Sequence, residues 1–470
     1  MPFFFPKLLH FCVVGSGPAG FYTLSTLLKR FPTCRVDILE SLPTPFGLLR
    51  YGVAPDHPEA RAVATSFSKL MEENKRARYF GNVKVGERTG ININCLQNVY
   101  SGVVLATGCP TERKLNIPGE GLRGVCGAGE FVKWYNGHPE MEETSFDLRH
   151  VEDVVVVGNG NVALDVGRIL LRNPDSLRHS DMPLQVLEEL RRSSVRKVTV
   201  VGRRGPAQAA WTAKELRECL SGLEGSFNTN ILKEDLELDQ EDVIELKNRR
   251  SQRRCVDLLK KYVKNQRMTS AQNRLNLKQL ELRFLLSPQQ FHSTDGKILS
   301  SALFSKNILT GTAGDRVAKS IEPPVNVGIP TQLTMRSIGF QGMPFSDVPS
   351  DNRKGIYLNQ RGRIWNGLYC TGWCKRGPQG IVGSNLWDAE ETVESIEKDV
   401  QQKLLQEVDS PSDMSFLGQF VDWNGWLRID EEEKRRGAML KKEREKMTDI
   451  GTMLELSNSG WPRGLVTQKF

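Results

Sequence analysis

The sequence predicts an α/β chain with two Rossmann-like dinucleotide-binding domains, one inserted into the other. Two observations predict it. A strand, a glycine turn and a helix start run from Leu9 to Gly20, and residues 151 to 171 repeat that order. A further strand follows each unit, Arg35 to Glu40 after the first and Lys197 to Val201 after the second. Two such units in one chain indicate duplicated nucleotide-binding folds.

The first unit holds Gly15-Ser16-Gly17-Pro18-Ala19-Gly20, a G-x-G-x-x-G turn between the apolar strand Phe11 to Val14 and a helix. The motif requires that context. Gly15 permits the tight turn, Gly17 lets the backbone approach a pyrophosphate, and Gly20 permits close helix–strand packing. The helix start offers free N–H groups and a positive dipole to phosphates. Glu40 ends the next strand, 20 residues after Gly20. Its carboxylate suits ribose hydroxyls and repels a 2′-phosphate, so this site favours FAD or NAD over NADP. The apolar run Val103 to Ala106 ends at Thr107-Gly108.

The second unit holds Gly158-Asn159-Gly160-Asn161-Val162-Ala163 after the strand Val154 to Val157, a G-x-G-x-x-A variant with the same turn physics. Here the acid is replaced. The strand Val198 to Val201 leads into Gly202-Arg203-Arg204. Arginines at a strand end can pair with a dianionic 2′-phosphate, which argues for NADP. The plain alternative is two solvated surface charges. Gly158 and Arg203 lie 45 positions apart, so an insertion around Asn173 to Leu190 must be accommodated.

From Gly222 to about Gln290 charges dominate and glycine becomes rare, as in helices and excursions on a domain surface. Glycine-rich, apolar sequence returns from Leu333 to Asp388. Asp430 to Lys446 is strongly charged and reads as a solvated helix, not a site. The expected organisation is an FAD domain of residues 1–108 plus 333–470, with an NADP domain of residues 109–332 inserted.

Composition narrows the function classes. A chain of 470 residues with 39% hydrophobic and 26% charged residues fits a soluble globular protein of two or three domains. The net charge of +8 suits an acidic partner, and no nucleic-acid-binding signature accompanies it. Nine cysteines, without a C-x-x-C pair, fit neither a secreted disulfide framework nor a zinc ribbon. A reducing compartment is expected and no metal site. Cys370 and Cys374, the closest pair, read as buried, inert thiols. Met1 to Leu9 is too short for a membrane span and lacks the marks of a signal or transit peptide. No other stretch could span a membrane, so membrane contact would be peripheral.

Several stretches carry a closer resemblance. They are Val14-Gly15-Ser16-Gly17-Pro18-Ala19-Gly20-Phe21-Tyr22, Leu42 to Gly47, Tyr51 to Glu59, Gly158 to Asp165, Val201 to Pro206, Lys214 to Glu218 and Gly372 to Pro378. Ala54-Pro55-Asp56-His57-Pro58-Glu59 is the most specific. Together they resemble the adrenodoxin-reductase-type ferredoxin–NADP reductases over nearly the whole chain, most weakly from Gly222 to Gln332. The resemblance implies FAD contacts at Ala19, Glu40, Leu48, Val85 and Trp373 and at the turn Gly380-Ile381-Val382, with Gly380 also near the nicotinamide end of NADP. It implies NADP contacts at Asn159, Gly160, Asn161, Val162, Arg203, Arg204 and Glu215. Asn159, a shorter amide, stands where the resembled family usually has Gln.

By itself, His57 reads as a loop histidine and Glu218 as a helix-surface charge. The resemblance instead makes them a couple beside flavin and nicotinamide, in which a carboxylate favours protonated imidazole. It also implies an acidic [2Fe–2S] ferredoxin as partner and a mitochondrial matrix location, in service of P450, iron–sulfur cluster or heme pathways. The basic run containing Arg249, Arg250, Arg253 and Arg254, followed by Lys260, Lys261 and Lys264, would dock that ferredoxin. Other readings are a flavoprotein disulfide or quinone reductase, a glutamate-synthase-like electron-input subunit, and a flavin-binding interaction protein without turnover. The missing C-x-x-C opposes the first, and the absence of a cysteine cluster suited to Fe–S centres opposes the second.

Overall fold

The computed structural model describes residues 8–86, 91–141, 145–266, 277–408 and 414–458. The chain forms two compact units. The first comprises Met1–Glu112, Asn136–Glu140 and Phe340–Phe470; the second comprises Arg113–Tyr135 and Met141–Gly339.

A six-stranded sheet organises the first unit, in the order Arg363–Trp365, Leu368–Cys370, Gly102–Leu105, His10–Val14, Arg35–Leu39, Ala77–Phe80. All neighbours are parallel except the Arg363–Trp365 hairpin. His10–Val14 is buried throughout because its side chains feed two apolar layers. Phe11 and Val13 join Phe21, Leu24 and Leu27 on one face, while Cys12 and Val14 join Val103, Leu105 and Leu368 on the other. Two-sided burial is why the strand reads as an unbroken apolar run. The helix Pro18–Arg30 opens on proline, where a missing N–H is harmless, and closes on Lys29 and Arg30, which complement its dipole. Ser384–Gln401 packs along it.

The charged C-terminal stretch departs from its expected role as a solvated helix. Trp423–Met439 buries Trp426, Ile429, Glu433 and Gly437 along one stripe. Glu433 sits in an apolar register but is fully buried against Arg50 and Arg444. Lys446 is buried as well, donating to Arg50 O at 3.0 Å and Asn136 O at 3.1 Å. Buried charges need such partners: Glu433 has its two arginines, and Lys446 has backbone carbonyls.

The second unit carries an all-parallel sheet in the order Val125–Gly127, Leu333–Arg336, Asp153–Val157, Lys197–Val201, Lys278–Arg283, Phe227–Ile231. Val154, Val156, Val198 and Val200 pack under the helices, and Val155, Val157 and Val201 pack on an antiparallel sheet spanning Leu286–Pro330. Between Gly222 and Gln290 the helices Gln240–Asn248 and Arg250–Gln266 fit the expectation of surface helices. The strands Phe227–Ile231 and Lys278–Arg283 correct it, because both lie in the sheet. In Lys278–Arg283 only Leu280 and Leu282 are fully buried; Glu281 pairs with Lys197 at 2.6 Å and Arg283 with Asp235 at 3.1 Å. Those paired charges hid a strand from its composition. The expected insertion around Asn173 to Leu190 is a short 3₁₀ turn, Pro174–Leu177, followed by the start of the helix Leu184–Arg192.

Candidate dinucleotide sites

In the first unit the three glycines of the turn meet three different surroundings. Gly15 has φ +111°, and a Cβ there would lie 2.4 Å from Ala106 O. A Cβ on Gly20 would lie 2.0 Å from Gly15 O. A Cβ on Gly17 would meet nothing within 4 Å. Gly15 and Gly20 are therefore demanded by the fold, whereas Gly17 faces open space at a helix N-terminus, where an anion is stabilised.

Glu40 is held beside this turn. Its Oε2 accepts from Ser16 N at 3.0 Å and Ser16 Oγ at 2.6 Å, and its Oε1 accepts from Ser41 Oγ at 3.0 Å and Leu42 N at 3.1 Å. Gly47 approaches Gly17, so Leu48, 41% exposed, starts its helix next to the turn. Val83 N donates to Glu40 O at 2.8 Å, bringing half-buried Val85 into the same neighbourhood. Gly372 packs directly on Ala19. Trp373 follows it and stacks on Phe340, with ring centroids 5.8 Å apart. Asn385 ties Val382 in by accepting from Arg376 and donating to Val382 O at 3.0 Å, leaving Ile381 75% exposed. Gly380, at φ +86°, curls over Ser384. Ala19, Glu40, Leu48 and the Gly372–Trp373 segment therefore stand at one glycine turn, with Val85 two residues beyond the Val83–Glu40 bond and Gly380 to Val382 on the segment that leads into Ser384–Gln401.

His57 belongs to the same unit. It is buried, its N–H donates to Ala54 O at 3.0 Å, and it caps the turn Pro58–Arg61. Arg61 braces that segment from Val53 O, at 2.8 Å.

The second unit repeats the scheme. Gly158 has φ +131°, and a Cβ there would lie 2.1 Å from Ser337 O, whereas a Cβ on Gly160 would meet nothing within 4 Å. The Asn159 side chain lies over Gly202, and its Oδ1 is buried without a hydrogen-bond partner among the described residues. Asn161 Oδ1 accepts from Thr212 N at 2.9 Å, while Val162 is half-buried in the first helical turn. Arg203 and Arg204 are exposed at the end of Lys197–Val201. Partial desolvation and the like charge of Arg203 press the pKa of Arg204 down.

Arg168 escaped sequence reasoning. Its side chain is 1% exposed and lies 2.5 Å from Asp165, 3.5 Å from Glu218 and 3.9 Å from Glu215. One buried guanidinium thereby positions two predicted site acids, Glu215 and Glu218. The available signal was an arginine inside the apolar run Val162 to Leu171, three residues after an aspartate. Asp388 was missed too: it accepts from Gly372 N and binds Lys375 Nζ at 2.7 Å, fixing the turn before Trp373.

All nine cysteines are free. Burial pushes the Cys370 and Cys374 thiols up, and Cys374 Sγ donates to Thr371 O at 3.1 Å. Buried thiols held this way are poor nucleophiles.

The pyridine nucleotide-disulphide oxidoreductase model matches residues 9–222. The chain is 39% identical to the mitochondrial NADPH:adrenodoxin oxidoreductase of Arabidopsis thaliana, over 93% of each chain. It is 38% identical to the human mitochondrial protein of the same name, over 96% of this chain and 92% of that one. The chain belongs to the NADPH:adrenodoxin oxidoreductase family. A solved structure of FprA from Mycobacterium tuberculosis in complex with NADPH matches with TM-score 0.88 and 35% identity, covering 96% of this chain and all of that one. Membership of the NADPH:adrenodoxin oxidoreductase family fits the two α/β units and the two glycine turns. A disulfide-reductase reading is not favoured, since this member of the family has no C-x-x-C. No helix among the described residues is long and apolar enough to cross a membrane.

Proposed function

We propose that this chain is an FAD-containing, NADPH-dependent oxidoreductase that passes electrons singly to a [2Fe–2S] ferredoxin. One observation carries the reading: two open glycines, Gly17 and Gly160, each stand in a strand–turn–helix unit with opposite charge at the next strand end. Glu40 rejects a 2′-phosphate at the first, and Arg203 with Arg204 invites one at the second. The first unit takes FAD and the second takes NADPH. Bound FAD supplies the exchange between a two-electron donor and a one-electron acceptor.

The protein's own part is to bind and orient. Gly15, Gly17, Ala19 and Gly20 present backbone to the pyrophosphate of FAD, Glu40 accepts from its ribose, and Leu48, Val85, Trp373, Gly380, Ile381 and Val382 line the flavin. Asn159 to Val162 hold the pyrophosphate of NADPH, and Glu215, steadied by Arg168, borders the same nucleotide. His57 and Glu218 tune hydride transfer through charge and position. Stopped-flow flavin reduction in His57→Ala and Glu218→Ala proteins that retain FAD checks that role, and unaltered rates remove it.

Arg250, Arg253 and Arg254, exposed on Arg250–Gln266, dock an acidic ferredoxin. The proposed location is the mitochondrial matrix; the names of the plant and animal relatives support it as far as the word mitochondrial, which the names of the mycobacterial relatives do not carry. The reading is tested by NADPH-driven reduction of a [2Fe–2S] ferredoxin across a salt series. Turnover whose KM for ferredoxin rises with ionic strength supports it, because screening weakens charge steering. A flavin-loaded protein that oxidises NADPH with artificial acceptors but never reduces a ferredoxin defeats it.

A further inference from the structure

We infer that Arg249 is a third cation of the 2′-phosphate subsite and helps set the preference for NADPH over NADH, instead of docking the acidic partner. The inference rests on the reading of the second unit as the NADP unit. Arg249 is the C-cap of Gln240–Asn248, just before the basic helix begins. Its Nη1 lies 3.0 Å from Glu245 Oε1, and the Glu245 side chain is only 3% exposed. The other oxygen of Glu245 accepts from Gln208 Nε2 at 3.0 Å.

Gln208 belongs to the turn that starts at Arg203 and Arg204. Its N–H donates to Gly205 O at 3.2 Å, and its Oε1 is the atom nearest a Cβ built on Gly205, also at 3.2 Å. That Oε1 is buried without a hydrogen-bond partner among the described residues. A single buried carboxylate therefore links Arg249 to the loop carrying Arg203 and Arg204. Arg204 senses the arrangement: desolvation, Arg203 and Arg249 lower its pKa, while Glu245 opposes them.

Two further carboxylates nearby, Asp239 and Asp242, share Arg316. Asp242 accepts from Gln208 Nε2 at 2.8 Å and faces Arg316 Nε at 3.6 Å, and Arg316 also pairs with Asp239. Arg203, Arg204 and Arg249 outnumber Glu245, which leaves a cationic excess of the sign that the dianionic phosphate monoester requires near neutral pH. Glu245 holds Arg249 before any ligand arrives, so little side-chain freedom is lost on binding. Arg253 and Arg254 lie beyond it on the exposed face of the helix.

Adenosine 2′-monophosphate and adenosine 5′-monophosphate, titrated calorimetrically into flavin-loaded protein, separate the two roles. Arg249→Ala is expected to weaken the 2′-isomer about tenfold, and the 5′-isomer by less than about twofold. Arg249→Lys, which keeps the charge, recovers part of that loss. Arg253→Ala is expected to leave 2′-isomer binding within about twofold of wild type while raising the KM for ferredoxin. An Arg249→Ala protein that binds the 2′-isomer like wild type and raises the KM for ferredoxin overturns the inference. Wild-type protein that fails to distinguish the isomers refutes the NADP reading itself and takes this inference with it.

Discussion

Replacing Glu433 by Gln tests the charge cluster inside the first unit. Glu433 is fully buried; its Oε1 lies 2.5 Å from Arg50 Nη2 and accepts from Met447 N at 2.8 Å. Arg50, 5% exposed, also lies over the rings of Tyr51 and Trp426, at 5.1 and 5.3 Å. Burial works against the Arg50 charge, and Glu433 outweighs it, so the pKa of Arg50 rises. Gln keeps the shape and removes the counter-charge. Arg444 retains Asp430 at 2.6 Å, so the loss falls on Arg50. An uncompensated buried guanidinium costs about 3–5 kcal/mol. At about 2–4 °C per kcal/mol for a domain of 150–250 residues, the first unit should melt about 6–20 °C lower. Scanning calorimetry paired with tryptophan fluorescence reads this, since Trp423 and Trp426 lie on the Glu433 helix. The double variant Arg50→Met with Glu433→Met should be less destabilised than either single change, because it strands no charge. A Gln variant melting within about 2 °C of wild type, or strict additivity in the double variant, would refute the reasoning.

Three further outcomes are expected. Gly17→Ala should fold with near-native melting but lose its flavin absorbance, while Gly20→Ala should fail to fold, because only the second Cβ collides with backbone; normal flavin content in Gly17→Ala contradicts this. Arg203→Ala and Arg204→Ala should each raise the KM for NADPH about tenfold or more with little change for NADH, through loss of a charge-assisted bond; steady-state kinetics with both donors checks it. Asp37 gives the acid limb. Burial pushes its pKa up, but bonds from His10 and Arg78 prevail and hold it below the ordinary value. Its folded pKa is thus below the unfolded one, so its contribution is full above about pH 4 and is lost as pH falls through the folded pKa. Asp37→Asn should melt lower at pH 7 and show a shallower fall below about pH 4, read by melting curves across pH; an unaltered acid limb removes Asp37 from that role.

Both glycine turns were legible because their requirement is local: a tight turn, close packing at Gly20 and Ala163, and an open middle glycine. The strand Asp153–Val157 was legible because burial on two faces leaves the unbroken apolar run Val154 to Val157, and Lys197–Val201 because its valines are interrupted only by Thr199. What failed was charge in the interior. Lys278–Arg283 alternates leucines with charges that find partners only once the fold forms. Glu433 and Arg168 look like surface residues until distant segments bring Arg50, Glu215 and Glu218 to them. Arg249 shows the same limit from the other side. In sequence it is one arginine in a basic run, and only the fold sets it on Glu245 beside the Arg203–Arg204 turn.

The central claim, FAD at the first turn and NADPH at the second, is tested most directly by visible spectra of the purified protein during anaerobic titration with NADPH, and with NADH in parallel. The account predicts flavin bands that bleach at much lower NADPH than NADH concentration. Flavin bands that bleach equally with both donors would contradict the Arg203–Arg204 assignment, and no flavin band after incubation with FAD would contradict the claim as a whole.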